Sequence, residues 1–273
     1  MSGRDGVPID HVSGASLASP IVEARNVTVR FGGVTALAGV SLAVPPASIV
    51  GLVGPNGAGK TTLFGVLSGI VAPTSGSVHL QGREVSGHSP QRRAQAGLAR
   101  TFQRTELFAD LSVRDHLVLA HRARHSRPRL LADLMGRATG DRAAERARVD
   151  ELLAVLGLGP VAQRPARSLP LGTGRLVEVG RALACDPSVI LLDEPSSGLD
   201  VHETEQLAAT LMRARRDRDV ALVLVEHDLD LVLGMSDVVN VLDFGVMIAT
   251  GPPDHIRTDG AVRAAYIGEE AVV

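Results

Sequence analysis

Residues 54–61 read GPNGAGKT and combine three glycines with a lysine and a threonine hydroxyl. Glycines let backbone N–H groups converge on phosphates, a lysine reaches the β and γ oxygens, and a hydroxyl suits Mg²⁺. The spacing matches the P-loop pattern at every fixed position, and Lys60, the only lysine of the chain, would also serve catalysis. Thr61 is a predicted Mg²⁺ ligand. The predicted nucleotide contacts are Gly54, Asn56, Gly57, Ala58, Gly59, Lys60, Thr61 and Thr62.

A pair of carboxylates follows an apolar run, where VILLDEP ends in Asp193 and Glu194. A buried parallel strand delivers such side chains to its C-terminal edge, where the ligand sites of α/β proteins lie. Asp193 is predicted to bind Mg²⁺, and Glu194 to polarise the attacking water. An acidic pair in this position is ordinarily a strand reaching solvent, but its combination with the P-loop favours phosphoryl transfer to water.

The elements that position these side chains follow from the periodicity of the sequence. Three strand-like runs from Ile21 onward precede the P-loop, and a segment with helical spacing follows it. Strands and helices then alternate from SVILLDEP to a strand pair joined at Gly245. This order predicts an α/β fold whose mixed, largely parallel sheet is flanked by helices, with an antiparallel β portion at the N-terminus.

The predicted domain boundaries follow changes in composition. Residues 1–20 are rich in Ser, Gly and Pro and are predicted to form a disordered leader, and residues 21–273 form one domain. Arg- and Ala-rich helical periodicity predicts an inserted helical subdomain at about residues 97–170. The C-terminal tail is placed at about residues 252–273.

Charge and composition exclude several classes of protein. The net charge of −2 argues against a protein that coats nucleic acid. No uncharged apolar run approaches the roughly 18 to 20 residues that cross a bilayer, so a membrane role must be peripheral. The single cysteine, Cys185, rules out an intrachain disulfide, and with no charged-then-apolar leader this indicates the cytoplasm.

Three further motifs give the chain its resemblance to a known family. TFQ at 101–103 resembles the Q-loop of the ATP-binding subunits of ABC transporters, SSGLD at 196–200 their D-loop, and EHD at 226–228 their H-loop. All the motifs stand in the order of the family, and the resemblance covers nearly everything from Ile21 onward. It implies ATP hydrolysis, with ATP and Mg²⁺ as cofactors.

The resemblance also implies roles for single residues. Phe31 would stack on adenine, with Val34 beside it. Glu194 would be the catalytic base and His227 the γ-phosphate contact. Gln103 would act in catalysis, bind Mg²⁺ and link the metal site to the helical subdomain and the membrane subunits.

In this family two ATPase subunits close head to tail around two ATP molecules. Each site uses the P-loop of one chain and the signature segment of the other. Gly172 and Asp200 are accordingly assigned as nucleotide contacts of this chain.

A narrower resemblance lies in residues 101–120 and in the ending VRAAYIGEE. Both are similar to the larger ATPase subunit of branched-chain amino-acid importers. This implies transmembrane permease subunits as partners, no nucleic-acid partner, and a peripheral position on the cytoplasmic side of the cell membrane. Two alternatives stay open: a lipopolysaccharide-export ATPase, and an ABC-type ATPase that acts on nucleic acid or the ribosome.

The signature segment departs from the family pattern. Leu-Ser-Gly-Gly-Gln is replaced at residues 169–173 by LPLGT. Pro170 has neither a hydroxyl nor an N–H, so it cannot make the serine contact to a partner's γ-phosphate. We therefore expect the signature segment of this chain to bind the ATP of a partner only weakly. We also expect a heterodimer with a second ABC ATPase, in which one of the two sites carries out most of the hydrolysis. A homodimer impaired at both sites is the alternative.

Overall fold

The computed structural model describes residues 19–101, 106–125 and 142–270. Side chains are not described at 125, 142 and 267–270. The predicted leader lies outside the described residues except for its last two positions. Strands of the described chain are β1 Val22–Phe31, β2 Val34–Val44, β3 Ile49–Val53, β4 Ser75–Leu80, β5 Arg83–Glu84, β6 Leu98–Arg100, β7 Val189–Asp193, β8 Ala221–Val225, β9 Val238–Asp243 and β10 Val246–Gly251.

The helices cover the sheets and connect most of the strands. The described helices are α1 Lys60–Ser68, α2 Pro90–Gln95, α3 Val113–His125, α4 Arg142–Val155, α5 Leu171–Ala184, α6 Val201–Arg218, α7 Leu229–Met235, α8 Pro253–Thr258 and α9 Gly260–Glu270. Two 3₁₀ turns, Gly159–Val161 and Ala166–Ser168, lie between α4 and α5.

The N-terminal strands form an antiparallel sheet, in the order β2-β1-β4-β5. Strand β1 alternates apolar and polar residues, so that Val22 and Ala24 face the core. Its register shifts between Ala24 and Val27, where Asn26 adopts a φ of 47°. The shift lets Val27 remain buried after the irregularity, and the predicted antiparallel portion is confirmed.

A six-stranded sheet, in the order β10-β9-β3-β8-β7-β6, carries the candidate site. Strands β3, β7 and β8 are buried at every position and pair in parallel, which explains their continuous apolar sequences. Strand β10 runs antiparallel to β9 at one edge. The predicted mixed, largely parallel sheet is confirmed. Because parallel strands end at the same edge, the segments after β3, β7 and β8 meet there.

Strand β6 revises the predicted start of the helical subdomain. Leu98–Arg100 pairs in parallel with β7, so these residues belong to the sheet and not to the helical insertion. We propose that the helical subdomain begins after Arg100. Within it α5 packs against α3 and α4, and at Gly180 a side chain would collide with Leu156 and Leu117.

The tail is anchored on the sheet by two short helices. Pro253 stands in the first turn of α8, where its missing N–H is not needed. Ile256 of α8 and Val262 of α9 are buried in the larger apolar core. In the described part of the chain, no helix has both the length and the apolar character to span a membrane.

Candidate nucleotide site

The P-loop connects β3 to α1 at the C-terminal edge of the larger sheet. Gly54 adopts a φ of 147°, and the backbone of Leu242 fills the space that a side chain would need. Gly59 adopts a φ of 104° as the N-cap of α1, with no side-chain cap of its own. Both positions therefore require glycine, and the first turn of α1 presents backbone N–H groups of the kind that bind phosphate.

Lys60 is folded back onto its own loop. Its side chain is buried, and Nζ donates to the carbonyl oxygens of Gly54 at 2.5 Å and Pro55 at 2.9 Å. Asn56 on the same loop and Thr61 in the first turn of α1 are exposed. The ammonium group is thus held at the centre of the loop by backbone carbonyls, while polar groups that would meet a ligand face outward.

An exposed aromatic residue stands at the tip of the antiparallel sheet. Phe31 and Val34 face each other across the β1–β2 turn, and their exposed fractions are 54% and 68%. Few residues of this chain are aromatic, and most apolar side chains of β1 point into the core. The turn therefore presents an apolar surface of the kind on which a base can stack.

The acidic pair lies at the end of β7, as the apolar run predicts. Asp193 is the last residue of the strand and is buried, and burial raises the pKa of its carboxyl. The charge of Arg100 and its hydrogen bond act in the opposite direction, since Nη2 donates to Asp193 Oδ2 at 2.9 Å. Arg100 also donates to Ser68 Oγ at 3.0 Å. The carboxylate is thereby fixed by a cation from β6.

Glu194 follows with a strained backbone. Its φ of 47° is unusual for a residue other than glycine and costs on the order of 1–2 kcal/mol. Its N–H donates to Val225 O at 2.9 Å, and its Oε1 lies 2.7 Å from His227 Nε2. The two side chains are exposed to 15% and 52% respectively. This arrangement places a carboxylate and an imidazole together at the edge, in reach of water.

The donor chemistry of this edge fits a magnesium ion. Asp193 supplies a carboxylate and Thr61 a hydroxyl, both hard oxygen donors of the type that Mg²⁺ takes together with phosphate oxygens. The third predicted ligand, Gln103, lies outside the described residues. The fit therefore rests on the two oxygen donors at the ends of β7 and at the start of α1.

The signature segment begins α5 without a side-chain cap. Pro170 is the N-cap residue and makes no side-chain cap hydrogen bond. Leu171 is 44% exposed, and a side chain at Gly198 would lie 3.1 Å from its Cδ2 atom. A side chain at Gly172 would lie 2.8 Å from Glu203 Oε1. The start of α5 is therefore packed against the start of α6 in the same chain.

Asp200 is the N-cap of α6. Its Oδ1 accepts the N–H of Glu203 at 2.8 Å, and Glu203 Oε2 accepts the N–H of Asp200 at 3.3 Å. This reciprocal pair is a capping box. The described structure thus gives the Asp200 carboxylate a partner within its own helix, beside the signature segment.

Arg100 is a contributor to the site that the sequence alone does not reveal. Its guanidinium lies 5.1 Å from the Phe64 ring centroid in addition to its contact with Asp193. One arginine in a chain with many arginines carries no distinguishing signal. The pairing becomes visible only when β6 is seen to be the neighbour of β7.

Comparison with known proteins gives two family matches. A family described as "ABC transporter" matches residues 37–197. A second family, described as "Branched-chain amino acid ATP-binding cassette transporter", matches residues 246–272. The first match contains the P-loop and the acidic pair, and the second contains β10 and most of the tail.

Relatives and solved structures align over nearly the whole chain. The chain is 37% identical over 256 residues to the "High-affinity branched-chain amino acid transport ATP-binding protein BraF" of Pseudomonas aeruginosa, covering 93% of this chain and 100% of the relative. It is 35% identical over 255 residues to the corresponding protein LivG of Escherichia coli K12, covering 93% and 100%. A crystal structure of the ADP conformation of an ATP-binding cassette of an ABC transporter has a TM-score of 0.79 and 27% identity, covering 92% of this chain and 100% of that one.

Proposed function

The chain belongs to the ABC transporter family of ATPase subunits, and we propose that it hydrolyses ATP to power an importer of branched-chain or related amino acids. The observation that carries the proposal is the edge at which the P-loop, Asp193 and the Glu194–His227 pair come together. The names of the relatives and the match over residues 246–272 support amino-acid import over lipopolysaccharide export. The same observations support import over action on nucleic acid or the ribosome.

Binding starts at the P-loop in the proposed mechanism. The triphosphate displaces Lys60 Nζ from the carbonyl oxygens of Gly54 and Pro55, because phosphate oxygens are stronger acceptors for an ammonium group. The N–H groups at the start of α1 take the remaining phosphate oxygens. Phe31 and Val34 provide the surface for adenine. Asn56, Gly57, Ala58 and Thr62 complete the proposed contacts.

Hydrolysis then uses the carboxylate and the imidazole at the edge. Glu194 accepts a proton from the water that attacks the γ-phosphorus, the bond from that phosphorus to the β–γ bridging oxygen breaks, and ADP leaves, while His227 orients the γ-phosphate. Asp193, Thr61 and Gln103 would hold Mg²⁺, which supplies charge neutralisation at the phosphates. The contact of 2.7 Å between His227 Nε2 and Glu194 Oε1 supports these roles, because it brings the two side chains together at the edge.

A cleft next to the metal-binding edge supports a permease partner. It has a volume of about 1060 Å³ and lies between α2 and β6 on one side and α3 and α5 on the other. Arg100 and Thr101 line it, and Thr101 stands two positions before Gln103 in the chain. We propose that permease subunits dock at this cleft and that the chain is a peripheral subunit on the cytoplasmic side of the membrane.

The second proposed partner is another ABC ATPase. The start of α5 lacks the serine hydroxyl that a partner's γ-phosphate needs, whereas the P-loop and acidic pair of this chain are complete in the described residues. A heterodimer with one dominant hydrolytic site follows, in which Gly172 and Asp200 would face the nucleotide of the second subunit. A homodimer would carry the altered signature at both sites.

Isolation of the intact assembly tests these proposals. The tagged chain is extracted gently from membranes, its partners are identified by mass spectrometry, and the complex is placed in liposomes. We expect two permeases, a second ATPase and ATP-dependent uptake of labelled leucine, isoleucine or valine. Co-purification of ribosomal or chromosomal proteins without permeases would contradict the import proposal. A complex with this chain as its sole ATPase would contradict the heterodimer.

A further inference from the structure

At least four hydrogen bonds tie the segment after β7 to the end of β8. Two of them use Glu194, through its N–H to Val225 O and its Oε1 to His227 Nε2. A third joins Ser196 to Glu226, whose Oε1 accepts the Ser196 N–H at 2.8 Å. Glu226 has no part in the mechanism above, although it lies between a strand and the proposed phosphate contact.

The carboxyl group of Glu226 is buried among hydrogen-bond donors. The residue is 3% exposed, and burial raises the pKa of its carboxyl. Hydrogen bonds from the Ser196 side chain and N–H and from the His227 N–H act in the opposite direction. Taking a carboxyl group out of water is unfavourable unless such donors compensate it. Its position is therefore defined closely by the two segments that it joins.

The segment that Glu226 fixes leads from the catalytic carboxylate to the signature. Ser196 opens a turn closed by the Leu199 N–H, which donates to Ser196 O at 3.0 Å. The turn ends at the capping box of α6, whose Glu203 side chain packs against Gly172. Arg175 of α5 also reaches this turn, with Nη2 at 3.5 Å from Ser197 O.

We propose that Glu226 is a positioning residue for ATP hydrolysis. By holding the Ser196 N–H, it sets residues 194–200 in place and so links the catalytic edge of this chain to its own signature segment. It acts through Ser196 and touches neither the nucleotide nor the attacking water. The inference rests on the proposed ATP hydrolysis for its kinetic consequence, but the contact itself can be tested separately.

A positioning role and a merely structural role differ in their kinetic consequences. Lys60 and Thr61 stand on the segment after β3, which Glu226 does not contact in the described hydrogen bonds. A change at Glu226 should therefore lower kcat for ATP while leaving the KM nearly unchanged. General destabilisation of the fold would instead lower the fraction of active protein, and substitutions at other buried residues would have the same effect.

The test uses three substitutions and one matched control in the full chain. Glu226→Gln keeps an oxygen acceptor of the same length, Glu226→Asp keeps the charge but withdraws the acceptor, and Glu226→Ala removes it. In the control, Asp237→Ala removes a more exposed carboxylate, which accepts the Ile49 N–H at 2.8 Å at the opposite end of β3. Hydrogen exchange of residues 194–200 and steady-state ATP kinetics are measured for each, alone and in the co-purified complex.

We expect Glu226→Ala and Glu226→Asp to speed amide exchange at Ser196 at least about tenfold and to lower kcat at least about tenfold, since loss of a single hydrogen bond already has an effect of that size. Glu226→Gln should be less impaired than Glu226→Ala and Glu226→Asp in both measurements, since its amide oxygen can still accept the Ser196 N–H. Asp237→Ala should change neither.

Two results would overturn the inference. One is unchanged exchange at Ser196 in both Glu226→Ala and Glu226→Asp. The other is a Glu226→Gln variant as impaired as Glu226→Asp, which would show that charge, and not the position of the acceptor, matters. If the unaltered chain and its complex neither bound nor hydrolysed ATP, the proposed function would fail. Amide exchange at Ser196 would still show whether Glu226 holds the Ser196 N–H.

Discussion

The catalytic edge and the signature segment differ in whether their side chains can make the contacts that ATP hydrolysis requires. At the edge, Asp193 and Glu194 each have a defined partner, in Arg100 and His227, at 2.9 and 2.7 Å. At the start of α5, Pro170 makes no side-chain cap hydrogen bond and offers no hydroxyl. We therefore expect the chain to hydrolyse ATP on its own P-loop more effectively than it completes the site of a partner.

The largest expected effect comes from removing the proposed general base, Glu194, at the catalytic edge. Glu194→Gln removes the proton acceptor while preserving the size of the side chain. We expect ATP turnover by the complex to fall by about 10²–10⁴-fold, as for loss of a general base. ATP binding, measured by equilibrium titration, should stay within about threefold because the P-loop is untouched. The exposed Glu205→Gln is the control, and equal turnover in both variants would contradict the role of Glu194.

The second prediction concerns the cation that holds Asp193. Arg100→Ala leaves a carboxylate whose side chain is only 10% exposed without its ion-pair partner. Breaking a buried pair costs about 3 kcal/mol, so the free energy of unfolding should fall by about that amount. Denaturant unfolding without nucleotide measures the effect. Addition of Mg²⁺ and ATP should stabilise the variant more than the original protein, because the metal then neutralises Asp193.

The control for Arg100 is an ion pair of similar length on the surface. Arg114 Nη2 lies 2.6 Å from Asp150 Oδ1, and the side chains are 30% and 58% exposed. Arg114→Ala should cost at most about 1 kcal/mol, since water screens the pair. Equal losses in the two variants would mean that the Arg100 contact has no special stabilising effect at the edge.

These contacts also show where prediction from sequence ends. The P-loop, the acidic pair and the order of strands and helices are local patterns, and each could be predicted from contiguous residues. Arg100 and Asp193 are 93 positions apart, and Glu226 and Ser196 are 30 apart. Their pairing depends on which strands become neighbours. Strand β6 has only three residues, too few for an alternating pattern to distinguish it from the helical insertion that follows.

The third prediction concerns variants that bring the signature segment closer to the family pattern. Pro170→Ser with Leu171→Gly restores a hydroxyl and removes bulk at the start of α5. One hydrogen bond to a charged phosphate contributes about 1.5–3 kcal/mol, so ATP turnover by the purified chain alone should rise at least about tenfold. Pro170→Ala with Leu171→Gly has the same backbone freedom without the hydroxyl and should show no such gain. A purified chain that already turns over ATP as fast as the double variant would contradict weak binding of a partner's ATP by the signature segment.

The smallest expected effect concerns a buried carboxyl group within the signature helix. Burial raises the pKa of Glu178, while the N–H of Glu106 and the charges of Arg175 and Arg181 act against that shift. A carboxyl whose pKa is higher in the folded state binds protons there preferentially. Its contribution to stability is therefore greatest at acidic pH and declines as the pH rises through the folded pKa.

Glu178→Gln removes this titration. Relative to the original protein, the variant should therefore be more stable at pH 8 than at pH 5. Denaturant unfolding at both pH values measures the difference, with Glu205→Gln as an exposed control. If the stability difference between the variant and the original protein were the same at both pH values, burial would not raise the pKa of Glu178. Since Glu178 lies in α5 and lines the proposed permease cleft, the result also tells whether that helix carries a buried charge where a partner would bind.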